Sequence, residues 1–486
     1  MAHHFANDIP AHLSMWQRVR EYAVPQSMIE IATARRAVGD WAGACAAARI
    51  DVDLDLRAVR DRHGTDLVTR LRADLRRLAP DLLRWHMPRI APDGRLRPGL
   101  TVSLARYRSS GATPLQLVVR TPPAWADAGQ RMSLALWEGS GKGAPRHYPH
   151  PHPDRRFRLD LHRHLWDSGR SGELALRCGA GRALPVAPPD RPHPPGRPGP
   201  PDGPSVGDSP WAVARWAAEA ELLLRAEGRP RGAFTVRLGA RGRAVLELLA
   251  PDDSHAPTFR PLREALPRQE VAALPVLPEA ATRVLPDLEL LLAGLVAAER
   301  LHPLVAMALA ASGSAPVAGP DPGPGPGDPH RVECRGEVHR IALRDGVLTA
   351  IDHDPAQLRR EELLVALGGP ALPCLRAIDA VHRTPEALPA VRERLGHGDV
   401  AGALAVVEGL LGPGAMLRDG PLREVLESAA AQRIDHGLFR SGLVAMHPGA
   451  DAASETGRRP RLNRRTPLAV RPKRSNLARP RTGLIR

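Results

Sequence analysis

Leu100–Arg120 reads LTVSLARYRSSGATPLQLVVR. Leu100, Val102 and Leu104 alternate with other residues, and after the Ser109-Ser110-Gly111 break Leu115, Leu117 and Val119 do the same. A period of two lays apolar side chains on one face of an extended strand. The pattern returns at Met132, Leu134 and Leu136, at Phe157, Leu159 and Leu161, and at Leu174, Leu176 and Cys178. Pro, Gly and Ser/Asp clusters separate the runs. The expectation over 97–184 is an antiparallel sheet wetted on one face, a small sandwich.

Upstream, the period lengthens. Residues 1–95 read as helical, with Met28–Val38 and Ala42–Ala48 separated by Gly39-Asp40, and Asp40 placed to cap the second helix. Leu67, Leu71, Leu75, Leu78 and Leu82 form one apolar stripe of a helix decorated by Arg70, Arg72, Arg76, Arg77 and Arg84. That basic decoration reads either as a solvated face or as a phosphate-contacting one. Downstream, 211–312 combines a helix bearing Trp211, Trp216, Leu222 and Leu223 with a hairpin and further helices. The hairpin sets Phe234, Val236 and Leu238 against Ala244, Leu246 and Leu248. Leu288–Ala298 is the most apolar run and reads as a buried helix too short to span a bilayer.

The 331–447 segment opens with Val338–Leu343 and Val347–Asp352 around Asp345-Gly346, a pair that favours a type I′ hairpin. Pairing Arg344 with Val347 sets Leu343 opposite Leu348 and Ile341 opposite Ala350, so that both apolar pairs share a face. Helices follow. The fold class is therefore α+β, multi-domain: a helical segment, an antiparallel β segment and two segments that join a hairpin to helices. The Pro/Gly-rich stretches 185–210 and 313–330 have linker composition.

The remaining 448–486 is a basic tail. From Gly457 onward it carries Arg458, Arg459, Arg461, Arg464, Arg465, Arg471, Lys473, Arg474, Arg479, Arg481 and Arg486 with no Asp or Glu, eleven cations in a chain of net charge +15. Recurrent prolines and little apolar mass make it read as disordered, an arm for nucleic acid, an acidic protein face or a membrane surface. Only Lys142 and Lys473 are lysines. So strong a preference for arginine also fits a compositional bias in which single arginines carry less meaning.

Two stretches resemble tetratricopeptide-type helical hairpins. In 28–48, Ile31, Ala32 and Ala34 precede a Gly39-Asp40-Trp41 turn and Ala44. In 389–411, Gly398-Asp399-Val400 and Ala403 repeat the turn, while Glu393 departs from the small residue of the motif. The two lie far apart, and a true array needs adjacent repeats. The resemblance implies a protein-binding surface.

The chemical candidates are few. His147, His150, His152, His162 and His164 cluster in sequence, and His152, His162 and His164 are the candidate metal ligands. The parity of Leu159 and Leu161 places His162 and His164 on the wet face of a strand, which favours ordinary exposed polar residues. Cys45, Cys178, Cys334 and Cys374 are far apart and form no CxxC pair, which suggests neither a zinc site nor a disulfide framework. Glu138–Pro145 (EGSGKGAP) lacks the first glycine and the Ser/Thr of a phosphate-binding loop. Asp352-His353-Asp354 and Asp435-His436 place acids beside possible bases, and the hairpin register puts His339 across from Asp352. No nucleophile elbow or HExxH motif accompanies them.

The N-terminus has no signal-peptide pattern, and the expected location is cytoplasmic. No cofactor motif is read. The expected function is a non-catalytic protein-interaction or regulatory adaptor whose tail, through Arg458–Arg481, contacts an anionic partner. The alternatives are a non-specific nucleic-acid-associated protein using the tail and the Leu67–Leu82 helix, and an enzyme or metal-binding protein built on His147–His164.

Overall fold

The structure is a computed structural model. It describes residues 9–107, 114–139, 152–178, 211–239, 242–249, 256–263, 266–311, 330–344, 347–385 and 387–443. The 185–210 stretch, the 313–330 stretch up to Pro329 and the basic tail lie outside them. The α+β class holds, with several separate sheets among many helices. No helix of the described residues is long and apolar enough to cross a membrane. Two compact units form. The first takes described residues between 9 and 123 and between 132 and 311; the second takes 124–131 and those between 330 and 443.

The first unit opens with α1 (Ala11–Arg18), α2 (Gln26–Ala37), α3 (Trp41–Ala47), β1 (Ile50–Asp53), α4 (Leu56–His63), α5 (Thr65–Arg77) and α6 (Pro80–Trp85). The short pair β2 (Arg89–Ile90) and β3 (Arg95–Leu96) leads to β4 (Thr101–Tyr107), β5 (Leu115–Arg120), β6 (Met132–Trp137) and α7 (Glu173–Cys178). The β4, β5 and β6 runs pair antiparallel as their alternation requires. The sheet is nevertheless mixed, because β1 joins β6 in parallel, Ile50 opposite Met132. It is one four-stranded sheet rather than a sandwich, since the runs at 157–161 and 174–178 are not strands. The first is a chain of turns that touches the sheet through an isolated Ser103–Arg158 bridge, and the second is α7.

The leucine stripe is also broken. Leu67, Val68, Leu71 and Leu75 bury one face of α5, but Leu78 bridges to Asp167 and Pro80 starts a new helix. Proline suits that first position, where its missing N–H is no loss. Both helices and the apolar face of the sheet share one core with Phe157, Leu159, Leu165 and Trp166.

The unit continues with α8 (Trp216–Ala226), β7 (Gly232–Arg237), β8 (Arg243–Leu249), β9 (Thr258–Pro261), α9 (Arg268–Ala273), α10 (Glu279–Thr282), α11 (Pro286–Leu292) and α12 (Pro303–Ala311). The hairpin forms and packs on α8 as a second core, but pairing the two apolar runs end to end would set Phe234 against Leu248. The observed register is two residues shorter, Phe234 opposite Leu246 and Val236 opposite Ala244, which leaves Leu238 outside the ladder and exposed. Leu290, Leu301, Leu304 and Val305 join the first core instead. The Leu288–Ala298 run is not one buried helix: α11 ends at Leu292, which is exposed.

In the second unit, β10 (His330–Cys334), β11 (Glu337–Arg344) and β12 (Val347–Ala350) form a three-stranded antiparallel sheet. The β11–β12 register is the one expected: Arg344 opposite Val347, Leu343 opposite Leu348 and Ile341 opposite Ala350. Next come α13 (Pro355–Ala366), α14 (Pro373–Arg383), α15 (Leu388–Gly396), α16 (Val400–Leu411) and α17 (Pro421–Arg440).

Both tetratricopeptide-like stretches are helical hairpins, α2–α3 and α15–α16, and they share one turn. Asp40 accepts from Gly43 N at 2.8 Å and pairs with Arg35 at 3.1 Å. Asp399 accepts from Gly402 N at 3.2 Å and pairs with Arg394 at 2.8 Å. The preceding glycines are left-handed, Gly39 at φ 77° and Gly398 at φ 83°. They differ in surroundings. A Cβ on Gly39 meets nothing within 4 Å, whereas one on Gly398 would lie 2.1 Å from the Gly129 carbonyl oxygen. Gly39→Ala should therefore cost only the left-handed strain, about 1–2 kcal/mol. Gly398→Ala should cost roughly 3 kcal/mol or more, because the Gly129 backbone must also move. Hydrogen exchange measured on peptides from each unit would check this, and equal losses would contradict the close approach.

Candidate functional site

The histidines read as wet strand residues are buried. His162 and His164 are each 1% exposed, because 152–178 folds as turns and short helices and the strand parity does not apply. His162 Nδ1 faces Arg158 O at 2.9 Å and its Nε2 faces Glu219 Oε2 at 3.1 Å. Both are oxygen acceptors, so each nitrogen donates when it carries a proton. Glu219, on α8, also accepts from Arg177 Nε at 3.0 Å and Arg215 Nη2 at 3.3 Å. Burial pushes its carboxyl up, but the hydrogen bonds and charges of His162 and Arg177 outweigh that and hold it far below the usual range. His164 Nδ1 accepts from Arg177 Nη1 at 3.3 Å. Burial first, then His162 and Arg177, keep His164 well below its ordinary value, so it is neutral.

Of the other candidates in this cluster, His152 is exposed, with its ring 6.2 Å from that of Trp137, and His147 and His150 lie outside the described residues. His152, His162 and His164 therefore do not assemble a ligand set. Glu138 belongs to Arg62 and His63, at 3.0 and 2.7 Å, and residues 140–145 of the glycine-rich loop are likewise outside.

Most other buried charges described in the first unit pair with one another or with backbone oxygens. Asp74 accepts from Tyr107 Oη at 2.7 Å and Arg77 at 2.9 Å, and it pairs with Arg163. Arg163 also reaches Asp167 at 2.8 Å and lies 4.7 Å over the Trp166 ring. Arg158 grips Asp160 through two 2.8 Å bonds and Glu227 through one of 2.6 Å. Asp81 faces His302 at 2.8 Å, and Asp287 accepts from Trp85 Nε1 at 2.8 Å. Arg84, assigned in sequence to a basic face, is wholly buried and donates to Ala23 O at 3.0 Å. The phosphate-contacting face thus loses Arg84, and its helix is two helices.

In the second unit the Asp–His pairs dissolve. Asp352 accepts from Arg340 Nε at 2.7 Å instead of from His339, and that guanidinium holds its carboxyl down at about 2. His436 Nδ1 donates to Ala126 O at 2.7 Å. His353 packs elsewhere: its ring stacks on His339 with centroids 4.4 Å apart. Burial, then His339 and Arg335, lower its affinity for a proton.

Two of the cysteines that are far apart in sequence meet in the fold. Cys334, His353 and Cys374 converge, all buried, with their ligand atoms within 4.8 Å of one another. Burial, then Cys334, pushes the Cys374 thiol up to about 11. Cys45 and Cys178 are separate buried thiols of the first unit. No protein-family model, curated protein or solved structure matches the chain.

The converging group had no signal of the CxxC kind, since eighteen residues separate Cys334 from His353 and twenty separate His353 from Cys374. The usable signal was indirect. The hairpin register placed His339 and the residues after β12 near each other, and Pro373 marked a helix start beside Cys374.

Proposed function

We propose that the protein is a non-catalytic protein-interaction or regulatory adaptor, with the basic tail as the contact for an anionic partner. The observation that carries this is an apolar ridge at the end of α13. Leu363 and Leu364 in the last turn of α13 and Leu367 at its C-cap are 65%, 46% and 86% exposed, with Leu363 and Leu367 four residues apart. Exposed apolar patches of this kind mark contact surfaces more often than chance positions do. The buried ion networks of the first unit support the reading. Their acids and bases are consumed in holding elements together, whereas catalysis calls for a group poised at an accessible cleft. The tail residues Arg458, Arg459, Arg461, Arg464, Arg465, Arg471, Lys473, Arg474, Arg479 and Arg481 supply a charge that steers association.

Capture experiments with the full chain, a Leu363→Glu/Leu367→Glu variant and a chain lacking 457–486 test this at low and high salt, with and without nuclease. The ridge variant should lose its protein partner at every salt concentration. The truncation should weaken capture at low salt and matter little at high salt, where screening is strong. Retention abolished by nuclease would replace this reading with non-specific nucleic-acid association. The slope of log K against log salt on DNA should then be about −5 if roughly half the tail cations engage phosphates.

A further inference from the structure

Cys334, His353 and Cys374 present two thiols and an imidazole to one point inside the second unit. A second observation concerns the next side chain. His339 is 7% exposed and stacks on His353, yet its Nδ1 is buried with no hydrogen-bond partner among the described residues. We propose that Cys334, His339, His353 and Cys374 bind one Zn2+ in a tetrahedral S2N2 set that fastens the β10–β12 sheet to the N-terminus of α14.

The donor chemistry selects the ion. Two thiolates and two imidazoles in a closed tetrahedron are the ordinary structural zinc set, whereas magnesium and calcium take oxygen ligands. The dimensions suit it as well. Zn–S of about 2.3 Å and Zn–N of about 2.0 Å put neighbouring donor atoms roughly 3.3–3.8 Å apart. The donors of Cys334, His353 and Cys374, already within 4.8 Å of one another, need to close by only a fraction of that, and the His339 ring stacked on His353 would have to swing in to complete the set.

The backbone supplies each ligand for a local reason. Arg335 and Gly336 are both left-handed, at φ 55° and 83°, which lets a two-residue turn end β10 at Cys334 opposite Glu337. His339 follows on β11 opposite Val332. His353 sits in the turn leaving β12, its N–H bonded to Ala350 O at 3.3 Å. Cys374 is the second residue of α14, an eleven-residue helix whose free N–H groups favour a thiolate. Glu337 Oε2 lies 4.0 Å from His339 Nε2, where a small shift would orient the ring from behind while Nδ1 faces the metal.

The need for an ion is also visible. Among the described residues the buried core around the site is small: Cys334, Ala350, Leu358, Leu372 and Cys374, with Val332 and Leu375 partly buried against it. Modules with so little buried apolar mass are commonly held by a metal or a disulfide. A Cys334–Cys374 disulfide would use the sulfurs but leave the unpartnered His339 nitrogen and the stacked imidazoles without a role.

The test uses the full chain purified in the presence of a thiol reductant. Elemental analysis should find one zinc per chain. Stripping with a chelator and adding Zn2+ alone should restore that stoichiometry and raise hydrogen-exchange protection in 330–383. Co2+ in its place should give visible d–d bands of tetrahedral intensity with thiolate-to-cobalt charge transfer. Cys334→Ser, Cys374→Ser and His353→Asn should each abolish metal retention. His339→Asn should lose the metal to a chelator concentration that the parent resists. Cys45→Ser and Cys178→Ser should change nothing. Where a ligand variant fails to fold, the zinc content and cobalt spectrum of the parent chain still decide. Metal-free protein that takes up neither ion overturns the proposal. So does a chain two hydrogens lighter, with Cys334 and Cys374 joined, or zinc retained after both cysteines are changed.

Discussion

Replacing Glu219 by Ala should destabilise the first unit by about 3–5 kcal/mol, the usual cost of removing one partner from a buried ion group. Glu219 is 5% exposed and is the shared acceptor of His162, Arg177 and Arg215. Without it, two guanidiniums and an imidazole remain inside the fold with no counter-charge, and none can be rehydrated without opening α8 away from 158–178. Glu219→Gln should fall between, since an amide oxygen still accepts but the amide nitrogen meets donors. The control is Glu173→Ala, which breaks the 2.6 Å pair with Arg170 at a largely exposed site and should cost under about 1 kcal/mol. Urea unfolding followed by tryptophan fluorescence compares the three, and Trp216 lies one turn from Glu219. Equal midpoints for Glu219→Ala and Glu173→Ala would mean that the network is not what fastens α8.

What the sequence makes legible depends on how far each signal reaches. The β11–β12 register was readable because one tight turn fixes it and only one alignment puts Ile341 against Ala350 and Leu343 against Leu348. The helical hairpins were readable for the same reason, since Gly39-Asp40 and Gly398-Asp399 cap locally. Leu174, Leu176 and Cys178 misled because 174 and 178 satisfy a helix spacing of four as well as a strand spacing of two. Leu176, at 83% exposure, settles it as a helix. Phe157 and Leu159 are buried as alternation requires, but local bonds such as Phe157 N to Asp154 O and His162 N to Leu159 O turn the chain on itself. Strand β1 was invisible, because its four residues owe their conformation to β6, some eighty positions away.

The site was less legible than the fold. His162 and His164 stand out in the sequence, but their meaning rests on Glu219 and Arg177, which no local pattern joins to them. Cys334 and Cys374 form no CxxC pair. Their approach is made by the packing of α14 on the sheet, a contact between elements that sequence spacing does not encode.

Acidification should loosen the first unit well before ordinary carboxylates titrate. His86 has a buried Nε2 with no hydrogen-bond partner among the described residues, and burial lowers the ring to about 4 from its usual 6.5. His164 is lowered well below 6.5 as well, by burial and by its neighbours His162 and Arg177. For a base held low in the folded state, the unfolded chain takes up a proton first. Its stabilising effect is full above pH 6.5 and is lost as pH falls toward the folded value. Glu289 acts in the opposite sense. Burial raises it from 4.5 to about 7 against the pull of Arg283, so the folded state takes up its proton first and gains stability on the same descent. Glu219, held low, contributes its own loss only below its unfolded value of 4.5. At about pH 5.5, midway between 6.5 and 4.5, the unfolded state thus holds about two protons on these histidines that the folded state lacks, and the folded state holds about one on Glu289 that the unfolded state lacks. The net is one proton, or about 1.4 kcal/mol of stability lost per pH unit. Urea midpoints across this range give the slope directly. His86→Gln should flatten it and Glu289→Gln should steepen it toward twice the parent value. A profile that rises on acidification, or that neither substitution changes, would place the titrating groups elsewhere.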